Sequence, residues 1–367
     1  MIYLDGSQGG GQMLRSALAL STLSGTPFRM HNIRKSRPSP GLKPQHLACI
    51  KALSKLCDSK SDGNAQGSDE LLYVPGTIQA RNITLDIGTA GSITLLLQSL
   101  LLPCLFAPRP LTLNITGGTD VAWSMPIDYF TEVVIPQYRR VADIDVQLLK
   151  RGYYPKGGGR VKLRIKPDII RNEFDDFAPF LLALKHKRFT LKHKGHVISI
   201  HGISHASADL ATQRVAERQA FAAKQKLKHL GVPMRVDLRY SQTLSTGSGI
   251  TLWAICSLNK NDLDPSNPIR IGADALGRER KPSEEVGEEA ADKLLRELVS
   301  GAPIDSHLAD NLIPLIGLCR PSVISTTQIT DHVRTNIAAA QAFLGDIYQI
   351  KEQTISTTDT SNSNSQA

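Results

Sequence analysis

Apolar and polar positions follow two alternating patterns along this chain, and the pair recurs. A glycine turn, Gly9-Gly10-Gly11, runs into a segment from Gln12 in which Leu14, Ala17 and Leu18 share one helical face. A second helical run covers Gln45 to Cys57. The same order returns at Gly88-Thr89-Ala90-Gly91-Ser92, which leads into the apolar run Ile93 to Ala107, and a helix over about 127–141 follows. A third, looser copy pairs Leu308–Leu318 with Thr335–Leu344. Between these helices lie period-two runs that read as half-buried strands: Ile83 to Gly88, Leu111 to Thr116 and Arg160 to Lys166.

Helices layered on mixed sheets give an α/β (α+β) class. The stretch from Phe189 to Gly277 breaks the repeat. It has its own strands, VISIHGIS, MRVDLRYS and ITLWAICS, and a long helix from Ala208 to Leu230. We expect a large domain over 1–188, an inserted small α/β domain over 189–277, a return to the large domain over 278–346, and a disordered tail over 347–367. The tail is expected because small polar residues bury too little surface to offset ordering.

The 367 residues exceed what one compact core normally holds. A formal net charge of +9 suits polyanionic partners. Lys185, Lys187, Arg188, Lys192 and Lys194 form a basic run at the entrance to the insert, either a solvated face or a surface for RNA. Five cysteines without CxxC spacing suggest neither a disulfide framework nor a zinc site, so a reducing cytoplasm is expected. No leader pattern opens the chain, and Ile93–Ala107 is shorter than the roughly 20 residues of a membrane span. No membrane partner is expected.

Several residues carry candidate chemistry. Three glycines before a helix let backbone N–H groups approach a phosphate, which the helix N-terminus favours. Arg15 lies one turn into that helix. Arg34 and Arg37 stand in the stiff loop NIRKSRPSPGLKPQH, with Gln45 and His46 beyond, and arginine forks match phosphate oxygens. Lys60-Ser61-Asp62-Gly63 spells the KxDG of lysine-nucleophile ligases, but its surroundings read as a polar loop that keeps lysine protonated. His332 precedes a helical run in QITDHVRTN, and a neutral imidazole can attack phosphorus.

In order, LDGSQGGGQMLRSALALS, IRKSRPSPGLKPQHL, IGTAGSITLLLQSLLLP, TGGTD, RGYYPKGGG, HLADNLIPL and DHVRTNIA resemble the RNA 3′-terminal phosphate cyclases from Leu4 to about Leu344. The resemblance implies three repeated units of two helices on a four-stranded sheet, with a small domain inserted before the third. It implies ATP and a divalent metal (Mg or Mn) as cofactors and RNA with a 3′-phosphate end as partner. It also implies a three-step reaction through histidine–AMP and RNA-adenylate to a 2′,3′-cyclic phosphate. The family nucleophile falls on His332, in HxxTN with Thr335 and Asn336. The phosphate-binding positions fall on Arg15, Arg34, Arg37, Gln45 and Gln98, and the adenine pocket on Pro126, His307, Asp310 and Asn311.

Two departures stand out. The family's glycine loop carries a metal-binding glutamate, whereas this one is shorter and reads Gln8-Gly9-Gly10-Gly11-Gln12. Arg-Ala-Gly-Arg has become Arg34-Lys35-Ser36-Arg37. No metal ligand is therefore assigned. The competing expectation is a catalytically weakened relative that binds RNA or serves ribosome assembly.

Overall fold

The computed structural model describes residues 1–7, 9–259 and 268–359. Its first unit runs β1 (Ile2–Asp5), α1 (Gly11–Ser24), β2 (Phe28–His31), α2 (Pro44–Cys57), β3 (Lys60–Asp62) and β4 (Leu71–Val74). Strands β1 and β2 are parallel, β4 is antiparallel to β2, and β3 closes the edge. Alternate residues on these strands explain the pairing: Phe28, Met30, Leu71 and Tyr73 are all buried. Lys60 lies in edge strand β3, not in the loop expected from its polar neighbours, and it is exposed.

The second unit repeats this order: β5 (Ile83–Asp86), α3 (Ile93–Cys104), β6 (Leu111–Gly117), an interrupted helix, β7 (Ala142–Lys150) and β8 (Gly159–Pro167). Again the first two strands are parallel and the rest antiparallel, in the order β5-β6-β8-β7. The interrupted helix has α-helical ends, α4 (Ile127–Tyr129) and α5 (Ile135–Tyr138), around a π-helical turn at Phe130–Val134. Pro136 has no N–H to give the carbonyl of Glu132 four residues earlier. Arg270 supplies that donor from outside, Nη1 to the Glu132 oxygen at 2.7 Å.

After the short α6 (Phe177–Ala183) comes β9 (Thr190–Leu191), then a separate sheet: β10 (His196–Ser207), α7 (Val215–Leu227), β11 (Met234–Ser241), β12 (Ser248–Ser257) and β13 (Ile269–Leu276). Helix α8 (Ser283–Val299) packs on β12, β13 and α7. Its buried face is Val286, Ala290, Ala291, Leu294 and Leu298, at helical spacing. Gly287 faces the α7 backbone so closely that a Cβ there would lie 2.1 Å from the Gln219 oxygen. The expected break at 277 therefore falls too early: α8 packs with the inserted sheet.

The last elements are α9 (Ser306–Leu318), β14 (Val323–Ser325), α10 (Asp331–Leu344), β15 (Tyr348–Lys351) and β16 (Thr354–Thr357). β9 pairs in parallel with β14, and the sheet runs β15-β16-β14-β9. With β9 as first strand, this third unit has the same order as the other two. The extra sheet and α8 thus interrupt the third unit after its first strand, where they had been expected to precede it. The expected tail is also corrected. Residues 348–357 form a hairpin that buries Tyr348 and Ile355, because Ile355 stands opposite Ile324 and Tyr348 hydrogen-bonds the Ile313 carbonyl at 2.8 Å. Residues 360–367 lie outside the described residues. No helix among the described residues is long and apolar enough to cross a membrane.

Candidate active site

Helix α1 of the first unit packs against α3 of the second and α10 of the third, and α9 packs against α10. Side chains bridge the three units at these contacts. The buried Arg15 donates from Nε to Gln98 Oε1 at 2.7 Å. Gln98 Nε2 donates to Asn311 Oδ1 at 3.0 Å, and Asn311 Nδ2 donates to the His307 carbonyl at 2.8 Å. Four predicted residues from three units thus form one hydrogen-bonded chain. Burial lowers the Arg15 guanidinium to about 10, Cys49 opposes, and Arg34 lowers it further, so it stays a cation at neutral pH.

The glycine loop is walled by positive and imidazole groups. A Cβ on Gly10 would lie 3.1 Å from Arg37 Nη2. On Gly11 it would lie 2.3 Å from His46 Nε2 and 3.0 Å from Arg15 Nη1. Glycine is required at position 11 by this close approach. The buried His46 accepts the Lys43 N–H at Nδ1, 3.0 Å, which leaves its proton on Nε2. Burial, with Arg15, Arg34 and Lys43, drives its pKa down to about 3, so it is neutral.

Arg34 has a different task from Arg37. Its backbone is left-handed, with φ at 57°, and its Nη1 donates to the carbonyls of Ser39 and Gly41 at 3.0 and 3.1 Å. It folds its own loop, whereas the exposed Arg37 reaches over the glycine turn. Gln45 Nε2 donates to the Ser92 carbonyl at 2.9 Å, tying the start of α2 to the second glycine loop.

His332 lies in the first turn of α10. Thr330 caps that helix by accepting from Val333 N at 3.1 Å and donates its own proton to Asp310 Oδ1 at 3.0 Å. Partial desolvation, then the charges of Arg37 and Arg15, lower the His332 pKa below the usual imidazole value. The ring is therefore a free base at pH 7, close enough to two cations to feel their charge. Thr335 Oγ1 donates to the carbonyls of Asp331 and His332 at 2.9 and 3.1 Å. Asn336 accepts from Ser16 Oγ at 2.7 Å and donates to the Asp310 carbonyl at 2.8 Å. That carbonyl needs an outside donor because Pro314, four residues on, has no N–H. Thr330 and Ser16 play these parts without any sequence signal, since hydroxyls are common at such positions.

His307 is exposed in the first turn of α9, where Asp305 accepts its backbone N–H at 3.1 Å. The Tyr129 ring meets it edge-on, centroids 6.4 Å apart. Pro126 caps α4, so it reaches His307 through Tyr129 of the same helix. Burial raises the Asp310 carboxyl to about 7 against the opposing Thr330 hydrogen bond.

No carboxylate stands in the described part of the glycine loop, and Asp310 is already taken by Thr330. Among the described residues, the one trio with metal-ligand geometry is Asp120, Asp128 and His205, all buried. Sequence reading missed it, although TGGTD ends on Asp120 and RGYYPKGGG opens on its partner Arg151. Arg151 already bridges the two carboxylates, Nη1 to Asp120 Oδ2 at 3.0 Å and Nη2 to Asp128 Oδ2 at 2.6 Å. His205 Nδ1 and the Tyr153 hydroxyl share a hydrogen bond at 2.8 Å, and Nε2 sits 3.3 Å from Asp120 Oδ1. Burial would raise the Asp120 carboxyl, but His205 and Arg151 hold it below the usual carboxylate range. The built-in guanidinium does the charge balancing that a dication would do, and the group joins the second unit to the inserted sheet. These residues do not fit a catalytic metal shell for His332.

A family model for RNA 3′-terminal phosphate cyclase matches residues 7–350. The RNA 3′-terminal phosphate cyclase of Pyrococcus furiosus is 42% identical over 354 residues, covering 96% of this chain and 95% of that protein. The proteins of that name from Pyrococcus abyssi and Archaeoglobus fulgidus are 40% and 38% identical, each covering at least 95% of both chains. With the model spanning almost the whole sequence and relatives this similar end to end, the chain belongs to the RNA 3′-terminal phosphate cyclase family.

Proposed function

We propose that the chain converts an RNA 3′-phosphate to a 2′,3′-cyclic phosphate at the expense of ATP, with His332 as nucleophile. The observation that carries this reading is the electrostatic setting of His332. It stands at a helix start, and partial desolvation, then the charges of Arg37 and Arg15, lower its pKa below the usual imidazole value. A helix N-terminus and two guanidiniums attract phosphate, and desolvation with the charges of the two arginines favours the unprotonated imidazole that attack requires.

In the first step a ring nitrogen of His332 bonds to the α-phosphorus of ATP, and the bond to the pyrophosphate oxygen breaks. Arg15 and Arg37 neutralise charge on the phosphates, with Gln98 orienting Arg15 through its Nε. An oxygen of the RNA 3′-phosphate then attacks the same phosphorus, the P–N bond breaks, and imidazole is regenerated. Last, the 2′-oxygen attacks the 3′-phosphorus, its proton leaves to solvent, and AMP departs. Gln45 at the second glycine loop, and Arg34 as organiser of its loop, complete the phosphate side. Pro126, His307, Asp310 and Asn311 form the base side. The described part of the glycine loop has no carboxylate to hold a metal, and Asp310 is engaged by Thr330. A divalent ion would arrive on the ATP phosphates.

The two-part division is also our reading: three like units, with β10 to α8 as the inserted body. The absent glutamate in the glycine loop favours a second reading, a weakened relative that binds RNA without turnover. Incubation of an RNA 3′-phosphate with the protein and ATP separates the two. The proposed activity makes the end resistant to phosphatase and releases one AMP per RNA. A phosphatase-sensitive end after long incubation with either magnesium or manganese would rule it out.

A further inference from the structure

Two aromatic rings stand in solvent beside the second glycine loop and take no part in the chemistry above. Trp123 is 99% exposed, with its backbone left-handed at φ 60°, and Tyr154 is 76% exposed. Their segments are joined: Asp120 bridges Tyr153, and Thr119 N donates to the Gly152 carbonyl at 2.9 Å. The Tyr154 loop is anchored from both sides, by Gly157 N to the Tyr153 carbonyl at 2.8 Å and by Lys156 N to Ser245 Oγ at 3.1 Å. It also touches the active-site loop, since a Cβ on Gly157 would lie 2.2 Å from the Thr89 oxygen. On the far side of that loop, Gln45 Oε1 would be 3.2 Å from a Cβ on Gly91.

Basic side chains continue from the same point. On β8 every second residue is a cation, and their partners on β7 differ along the strand. Lys166 is opposite Asp143 and Arg164 opposite Asp145. Lys162 is opposite Gln147, and Arg160 is directly opposite Lys150. The end far from the site thus has a carboxylate opposite each cation, and the end next to it has none. Two cations facing each other in a ladder are destabilising unless an anion joins them. The basic run at the insert entrance is different, because Lys185 and Lys187 are paired with Asp359 and Asp168.

We propose that this surface holds the single-stranded RNA leading to the 3′ end. Trp123 and Tyr154 stack on bases, and Lys150, Lys156, Arg160 and Lys162 take the backbone phosphates. Exposed rings interleaved with uncompensated cations suit any base sequence, because every base has a stacking face. Alternate residues on a strand are about 6.7 Å apart, close to the phosphate spacing of an extended single strand. The inference rests on the reading of the chain as an RNA-end enzyme and adds where the rest of the RNA lies.

The test is a titration of the full chain with a 12-nucleotide single-stranded RNA bearing a 3′-phosphate, without ATP, followed by tryptophan fluorescence. Of the two tryptophans, Trp253 is buried against His201, so RNA quenching reports Trp123. We expect quenching on binding and about tenfold weaker binding for Trp123→Ala, the loss expected for one stacked base. Lys150→Gln combined with Arg160→Gln should reduce the slope of log affinity against log salt by about 1.4, since each single-strand phosphate contact contributes about 0.7. Trp123 packs on nothing that its replacement would leave empty, and the salt slope does not depend on that variant. Unchanged fluorescence with an unchanged salt slope would overturn the proposal and turn the surface toward an acidic protein. Because ATP is absent, a protein that never forms an AMP adduct can still show quenching. One that forms the adduct and shows none defeats this inference alone.

Discussion

Ser16 and Asn336, 320 residues apart, are joined by a 2.7 Å hydrogen bond from the serine hydroxyl to the asparagine carbonyl oxygen. Both side chains are buried, and the bond ties α1 to α10 one turn beyond His332. Asn336 also donates to the Asp310 carbonyl that Pro314 leaves without an intrahelical donor. One amide therefore aligns the helix that carries His332 against both α1 and α9.

Asn336→Ala removes both bonds and strands two buried polar groups. We expect a loss of about 2–6 kcal/mol in denaturant unfolding, at about 1–3 kcal/mol for each of the two unsatisfied groups. The turnover number should fall more than the KM for ATP changes, since in the proposed mechanism Asn336 positions the helix of His332 and is not among the ATP-binding residues. Retention of wild-type stability would show that the two bonds carry no weight.

Gln98→Leu leaves Arg15 Nε without its acceptor in a buried setting. The guanidinium is then free to rotate away from the glycine loop. The KM for ATP should rise about tenfold, the cost of about 1.4 kcal/mol of lost orientation. A KM within twofold of wild type would show that Arg15 is held by other means.

Gly11→Ala forces a Cβ to within 2.3 Å of His46 Nε2 and 3.0 Å of Arg15 Nη1. His46 cannot turn aside without losing the Lys43 N–H that it accepts. We expect ATP binding, read by calorimetry, to weaken at least tenfold, with a smaller loss of stability, about 1–3 kcal/mol for overpacking. Wild-type ATP affinity in this variant would contradict the packing of the loop.

Asp310 gives the fold a pH signature. Its folded pKa is raised to about 7 by burial, above the unfolded value near 3.9. Its contribution to stability is therefore fully present below about pH 4 and is lost as pH rises through about 7. The melting temperature of the wild type should decline over that window relative to Asp310→Asn, whose amide cannot ionise. Parallel curves for the two proteins would remove the buried acid from the account.

Much of this fold was legible because its signals are local. The helices at Gln45–Cys57 and Leu308–Leu318 declare themselves by apolar spacing, and each begins or ends within about a residue of where it was expected. What was not legible depended on partners far away in the chain. β9 is only Thr190–Leu191, too short for any periodicity, yet it is the first strand of the third unit. The amphipathic face of α8 says that it packs, not on which sheet. The hairpin at 348–357 hides two buried apolar side chains among polar residues. For the site, motif order named His332 and the arginines as candidates, but the chain Arg15–Gln98–Asn311 and the Asp120–Arg151–His205 joint needed the fold. The different tasks of Arg34 and Arg37 were equally invisible, because both read as exposed loop cations.

The most direct test of the central claim is the mass of the intact protein after incubation with ATP and magnesium or manganese, for wild type and His332→Ala. The account predicts that wild type gains one AMP, that the adduct is lost on mild acid because a P–N bond is labile, and that His332→Ala gains nothing. An adduct of equal occupancy in His332→Ala, or none on wild type with either metal, would contradict it.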